Sequence, residues 1–438
     1  MKKAAIHTLG CKVNQYESEA IASMMQEAGY EMVPFDGYAD CYIVNTCTVT
    51  SLSDRKSRQM IRRAKKHNPN AIVVATGCYA QTAPEAVSQI EGVNLVVGTA
   101  HRAEIPDLIE QAAERQVCTV GDIMQEREFE SLHVSAYQER TRAFLKIQDG
   151  CDRYCSYCII PYARGRVRSR PLADIISEVK ELCEKGYCEF VLSGIHVASY
   201  GKDLENIGLL NVLEQVDRIK GVKRVRLGSL EPGCITKEFV TALAAMDKFC
   251  PHFHISLQSG SARTLERMNR HYTPEEYLVS AEVVRDSFKN PAISTDVMVG
   301  FCGETEEEFE ESYQFVKQVG FSQIHVFPYS VRKGTRAADF PDHVSSMVKE
   351  ERASRMLALG ESLSRSFLES QQGRTAQVLA ERGIGDGMYE GFTENYARVH
   401  FAVGDKKGTS DKNGLTGQIM PVKLNRAEKD FIFGQLQM

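Results

Sequence analysis

Three short apolar runs open the chain: AAIHTLGC (4–11), CYIVNTC (41–47) and AIVVATGC (71–78). Each is continuous rather than alternating, the pattern of a strand covered on both faces. Between them, Glu17–Ala28 and Ser53–His67 carry helical spacing, so the opening reads βαβαβ, a parallel sheet with right-handed crossovers. From Ala143 the alternation restarts, with strands predicted at 143–147, 189–194, 224–229, 253–258, 293–300 and 323–329. Helices such as Leu172–Lys185 and Thr305–Val319 fill the intervals. Six β/α repeats are too few for an eightfold barrel and predict an open one. A long amphipathic helix follows over Ser345–Gln371, with Val348, Ala353, Met356, Leu357, Leu363 and Phe367 along one side. Beyond it, TAQVLAE (375–381) and YARVHF (396–401) alternate, with glycine-rich turns at 383–387 and 406–414. That pattern predicts a small β-barrel. The class is α/β: a doubly wound parallel-sheet domain (1–118), a linker (119–140), an open (β/α)6 barrel (141–371) and a small C-terminal β-barrel (372–438).

Composition narrows the chemistry. Of 438 residues, 43% are hydrophobic and 25% charged, which suits a soluble protein with a real core. No apolar run approaches the roughly 20 residues of a membrane span, and the N-terminus meets charges too early for a secretory leader. A cytoplasmic protein with no membrane partner is expected. Thirteen cysteines are many for a reducing compartment and point to metal or redox chemistry rather than disulfides. The net charge of −5 leaves any nucleic-acid contact to local basic patches.

The segment DGCDRYCSYCIIPYARG (149–165) sets Cys151, Cys155 and Cys158 in a Cys-x3-Cys-x2-Cys loop just after the first barrel strand. Thiolates ligate iron–sulfur clusters, and three of them leave one iron of a four-iron cubane open. A structural zinc site would need a fourth ligand, yet no second CxxC follows and His133 lies too far upstream. Spacing, Tyr157 and the strand-end location together resemble the radical S-adenosylmethionine superfamily. That resemblance implies that S-adenosylmethionine is held by Tyr157 and by the later strand ends: Ser193, Gly194, Ser229, Glu231, Gln258, Ser259 and Asp296.

Cys11, Cys47 and Cys78 each close a predicted parallel strand at its carboxyl end, where a doubly wound sheet binds its ligands. Together they can hold a second cluster. The plainer reading, a small buried hydrophobe, is given to Cys41, Cys118, Cys183, Cys188, Cys234 and Cys250, which share no such register. With these residues in view, LGCKVNQYES, NTCTV, ATGCYAQ, CDRYCSYCIIPYARGRVRSR, LQSGS and VMVGFCGETEEEF resemble the methylthiotransferases across essentially the whole chain. The resemblance implies an N-terminal domain with an auxiliary cluster, a radical core, and a C-terminal TRAM domain that binds RNA. Two [4Fe–4S] clusters and S-adenosylmethionine would be the cofactors. KVNQYES and YSVRKGTRA are most similar to the branch acting on threonylcarbamoyladenosine at position 37 of tRNA. Isopentenyladenosine in tRNA and a ribosomal-protein aspartate are the alternatives. A tRNA anticodon stem-loop, an external electron donor and an unidentified sulfur source are the implied partners. Cys302 stands where family members commonly carry proline and is read as a packing substitution.

Two basic stretches are candidate anion contacts. Arg164, Arg166, Arg168 and Arg170 alternate along the chain, so an extended segment would put all four on one face. Arg166 and Arg168 are assigned to the cosubstrate carboxylate, Arg164 and Arg170 to RNA phosphates. In the helix after Cys47, Arg55, Arg58, Arg62 and Lys65 form a stripe with no acid between residues 55 and 67. It reads as an RNA contact or a solvated face. Residues 372–438 hold nine Lys/Arg against eight Asp/Glu, so charge alone does not mark that module as an RNA binder.

Overall fold

The computed structural model describes residues 1–135, 137, 141–403 and 414–437. Most of the predicted turn at 406–414, and residues 136 and 138–140 of the predicted linker, lie outside them. The opening apolar runs become strands Lys3–Thr8, Cys41–Thr46 and Ile72–Gly77, the second buried at every residue. They lie side by side and parallel, with Thr8 level with Asn45 and Asn45 level with Thr76. The short strands Glu31–Met32, Leu95–Val96 and Val117–Cys118 complete a six-stranded sheet. Lys3–Thr8 sits between Glu31–Met32 and Cys41–Thr46, so the winding reverses there, as a doubly wound sheet requires. Helices Lys12–Glu27 and Ser51–His67 make the crossovers. Thr50 caps the second, its hydroxyl accepting from the Ser53 N–H at 3.1 Å.

The six β/α strands are Arg142–Asp149, Glu189–Gly194, Arg224–Leu227, His252–His254, Ala292–Val299 and Gln323–Pro328. They form two parallel ladders joined by the single bridges Val225–Phe249 and Leu230–Ile255. A short return strand, Arg168–Ser169, runs antiparallel along the outer edge of Arg142–Asp149. The strand expected over 253–258 is paired as a ladder only through His254. Gln258 there takes a left-handed backbone (φ 67°), and the Leu257 N–H bonds to the Thr295 hydroxyl instead of a strand partner. The long helix runs Ser346–Ser370 with Ser345 as its cap. Its buried side passes Ala353, Met356, Leu359 and Leu368, whereas Leu357 faces solvent, contrary to expectation. Bare Gly360 explains the offset: a Cβ there would collide with Ile324, so the strand packs onto this turn of the helix.

The stretch predicted as a linker is largely exposed over 121–131 and docks near its end. Leu132, Val134 and Tyr137 are buried with Tyr16 and Ala20 of the first helix against the barrel core. Strands Thr375–Gly385, Met388–Thr393, Arg398–Ala402, Ile419–Ala427 and Ile432–Leu436 close the expected small barrel, with five strands. This module stops the amino end of the β/α barrel. Arg226 donates to the Thr393 and Glu394 carbonyls at 2.9 and 2.7 Å, and Arg224 to that of Phe392 at 3.2 Å. Both arginines are held by Glu189, at 2.8 and 3.1 Å. Tyr396 lies over His252 with ring centroids 4.7 Å apart.

Burial alone would raise the Glu189 carboxyl, but Arg226 and Arg224 outweigh it and hold it down to about 2. Its folded value lies below the ordinary 4.5, so its stabilising contribution is complete above that pH and is lost as pH falls through about 2. Glu189→Gln is therefore expected to be less stable than the parent near neutrality. The gap should narrow by up to about 3 kcal/mol on acidification, as read by urea unfolding at stepped pH.

Candidate active site

Three cysteines stand at three adjacent strand ends of the N-terminal sheet. Cys11 is the cap residue before helix Lys12–Glu27, Cys47 follows its strand directly, and Cys78 begins the short helix Cys78–Thr82. Glycine makes the close approach possible. Gly10 (φ 105°) passes so near Cys47 that a Cβ would lie 3.1 Å from its sulfur, and at Gly77 (φ 93°) one would strike the Asn45 side chain. Asn14 ties the strand ends together, donating to the Leu9 and Thr46 carbonyls at 2.8 and 3.0 Å. Its Oδ1 accepts from Arg164 Nη2 at 2.6 Å, and Arg164 Nε in turn lies 3.2 Å from Cys78 Sγ.

The second set sits across from the first. Cys151, Cys155 and Cys158 fold over the carboxyl end of Arg142–Asp149, with Cys151 N–H bonded to the Gly165 carbonyl at 3.0 Å. Arg270 Nη1 approaches Cys155 Sγ at 3.2 Å. Each thiol set is thus met by one buried arginine. Cys11 and all three loop cysteines line a single cavity of about 530 Å³, together with Tyr157, Ser193, Gly194, Ser229, Glu231 and Asp296. Cys47 and Cys78 lie buried behind Cys11. Burial pushes the Cys11, Cys47 and Cys78 thiols up, Cys151 to about 11 and Cys158 to about 12. A bound metal would offset that cost, since a coordinated thiol is held as thiolate. Within the cavity Glu231 is ion-paired with Arg153 at 2.5 Å and stands 3.1 Å from both Arg270 and His196, and Asp296 lies 3.2 Å from His254.

Residues 3–98 match a family described as Uncharacterized protein family UPF0004, and residues 145–316 match the Radical SAM superfamily. The threonylcarbamoyladenosine tRNA methylthiotransferase MtaB of Bacillus subtilis (strain 168) is 43% identical, covering 99% of this chain and 96% of its own. The chain belongs to the radical S-adenosylmethionine methylthiotransferase family. The tRNA-2-methylthio-N(6)-dimethylallyladenosine synthase of Moorella thermoacetica (strain ATCC 39073 / JCM 9320) is 36% identical over 99% of this methylthiotransferase and 98% of its own length. The fold is shared with the radical S-adenosylmethionine methyltransferase TsrM from Kitasatospora setae, at a TM-score of 0.58 and 16% identity over 77% of each chain. The cofactors of the methylthiotransferase are S-adenosylmethionine and two [4Fe–4S] clusters. Six cysteines in two sets of three, each opening toward one cavity, fit that requirement.

The arginines overturn part of the sequence reading. Arg164, Arg168 and Arg170 are buried and only Arg166 is exposed, so the four do not share a face. Residues Ile160–Arg164 are helical and Gly165 turns with φ 70°, which breaks the alternation. Arg164 pairs with Glu17, and Arg170 with Glu178, so neither can reach an RNA phosphate. Arg168 donates to the Arg164 carbonyl at 2.9 Å, and neither it nor Arg166 lines the cavity. Buried carboxylates drew these cations inward. Gln258 and Ser259 also stand off the cavity lining; the Ser259 hydroxyl accepts from the Ser261 N–H at 3.2 Å. Cys302 is buried against Met268, Phe301, Tyr329 and Ala337, as a packing residue should be. Glu17, Arg153, His196 and Arg270 were not legible as site residues. The basic helix keeps its face: Arg55, Arg58, Arg62, Arg63 and Lys66 line one surface groove. Lys65 folds back onto the Ala71 carbonyl at 2.7 Å.

Glu17 binds Arg102 at 2.5 Å and Lys146 at 2.8 Å besides Arg164, and is wholly buried. Burial would raise its carboxyl, yet Arg102, Arg164 and Lys146 hold it well below the usual range. Glu17→Ala strands these buried cations and is expected to cost about 3–5 kcal/mol in denaturant unfolding. Arg164→Met should lower stability as well, and a variant as stable as the parent would return Arg164 to the surface role.

Proposed function

We propose that this methylthiotransferase acts on threonylcarbamoyladenosine at position 37 of tRNA, giving the 2-methylthio derivative, in the cytoplasm. The observation that carries the reading is the single cavity shared by Cys11 and by Cys151, Cys155 and Cys158. In it, Cys151, Cys155 and Cys158 hold the cluster that binds S-adenosylmethionine, and Cys11, Cys47 and Cys78 hold the auxiliary cluster. These groups supply the radical and the methylthio sulfur when bound, since no side chain can replace an inert C–H bond. The chain's own residues wall the reaction off and position the reactants. Tyr157, Ser193, Gly194, Ser229 and Asp296 line the nucleoside-sized space, while Arg153, Arg270 and His196 fix Glu231 beside it. Tyr396 reaches the same cavity from the C-terminal module and helps to exclude water.

The domain limits proposed are 1–118, 119–140, 141–371 and 372–438, the last a TRAM module that joins the basic helix in gripping RNA. Identity supports the threonylcarbamoyladenosine branch, since the Aquifex aeolicus (strain VF5) MtaB is also 41% identical over 91% of this chain. The electron donor is external, and the sulfur source is unidentified. Among the described residues no helix is long and apolar enough to cross a membrane.

Replacing Cys11, Cys47 and Cys78 with alanine is expected to leave about four irons per chain and preserve 5′-deoxyadenosine formation, while abolishing the methylthio product. Iron assay and nucleoside mass spectrometry check this; eight irons in that variant would sink the assignment. Arg55→Ala with Arg62→Ala should weaken tRNA binding and flatten the salt dependence of log K by about 1.5 to 2 in slope, leaving cosubstrate cleavage untouched.

A further inference from the structure

Lys12 follows Cys11 directly, and it lines the cavity shared by Cys11 and the three loop cysteines. Its ammonium stands 5.8 Å from the centre of the Phe144 ring, and among the described residues no carboxylate pairs with it. The titratable groups whose charge acts on it are Tyr396, Arg142, Arg226, His252 and His325, two of them permanent cations and none a carboxylate. The acids of the cavity lining have other partners, Glu231 with Arg153, Arg270 and His196 and Asp296 with His254, and Glu189 is shared among Arg142, Arg224 and Arg226. Lys12 also begins a 16-residue helix with no acidic residue in its first turn, so the helix dipole adds to the positive potential instead of offsetting it. A walled ammonium without a counter-ion is costly unless a ligand brings the negative charge.

We propose that Lys12 is the specificity residue of this site, pairing with a carboxylate carried by the modified base. The inference rests on the substrate reading above. A threonine joined through its nitrogen to a carbamoyl group keeps a free carboxylate, whereas a dimethylallyl group bears no charge. The same cavity would therefore hold the first and discriminate against the second, by leaving Lys12 unpaired. S-adenosylmethionine also has a carboxylate, but the loop cysteines have cations of their own, Arg270 at Cys155 and Arg153 at Glu231, whereas Lys12 stands by Phe144.

The test uses the full chain with both clusters reconstituted and anticodon stem-loop RNAs bearing threonylcarbamoyladenosine, its carboxylate methyl ester, or dimethylallyladenosine. Wild type should lose about tenfold or more in kcat/KM from acid to ester, and Lys12→Met should lose a similar factor on the acid but almost none on the ester. Cluster absorbance and RNA-free formation of 5′-deoxyadenosine should stay unchanged in Lys12→Met. Equal turnover of acid and ester by the unmutated enzyme overturns the proposal without any variant being needed. A Lys12→Met enzyme that retains full preference for the acid overturns it too, and weakened binding of S-adenosylmethionine would assign Lys12 to the cosubstrate instead. Activity of the wild type on dimethylallyladenosine alone would refute the substrate reading itself.

Discussion

One buried carboxylate holds the two halves of this site in register. Glu17, on the first helix, receives Arg102 from its own domain and Lys146 and Arg164 from the β/α barrel, with Asp149 beside them. Buried charges of this kind tolerate little displacement, because a shifted partner leaves an uncompensated ion in a low-dielectric interior. Such a network contributes little net stability, but it permits few docking arrangements. In the arrangement it selects, Arg164 reaches Cys78, and Cys11 faces the loop that carries Cys151, Cys155 and Cys158.

The rest of the molecule follows from that docking. The strand ends of a parallel sheet and of an open barrel are both places where side chains converge and backbone N–H and C=O groups turn outward. Facing the two ends toward each other encloses one chamber instead of two clefts. The packed stretch through Leu132 and Val134 ties the halves along their side, and Tyr16 donates to the Leu132 carbonyl at 2.6 Å. The C-terminal barrel closes the remaining end through Arg224 and Arg226, both of which pair with Glu189. A chamber assembled from three modules suits chemistry that water would quench.

The cysteine pattern was legible because cofactor ligands constrain residue type and position at once. A thiolate must stand where the chain turns, and the glycines that precede Cys11, Cys78 and Cys151 mark those turns in the sequence. The arginines were not legible. Arg164, Arg168 and Arg170 have the spacing of a phosphate-binding edge, yet their partners are Glu17, the Arg164 carbonyl and Glu178, which come from other parts of the chain or from a turn no periodicity announces. Charge tells that a side chain needs a partner, not whether the partner is a ligand or an acid in the core. The Arg55–Lys66 stripe escaped this fate because its helix faces solvent on that side, away from buried Ile61 and Ala64.

By itself, the sequence determined the local elements, the two sets of three thiols and the family, since hydrophobic period and ligand chemistry are properties of short segments. Tertiary structure alone decided that Cys11 shares a cavity with the three loop cysteines, that three arginines turn inward, and that Lys12 lines that cavity with no carboxylate paired to it among the described residues. The docking behind those facts depends on contacts between residues more than a hundred positions apart, such as Glu17 with Lys146 and Arg142 with Glu381, although Arg170 meets Glu178 within the same short stretch. Contacts at that range are set by packing and by the cost of an unpaired buried charge, and no local pattern encodes them.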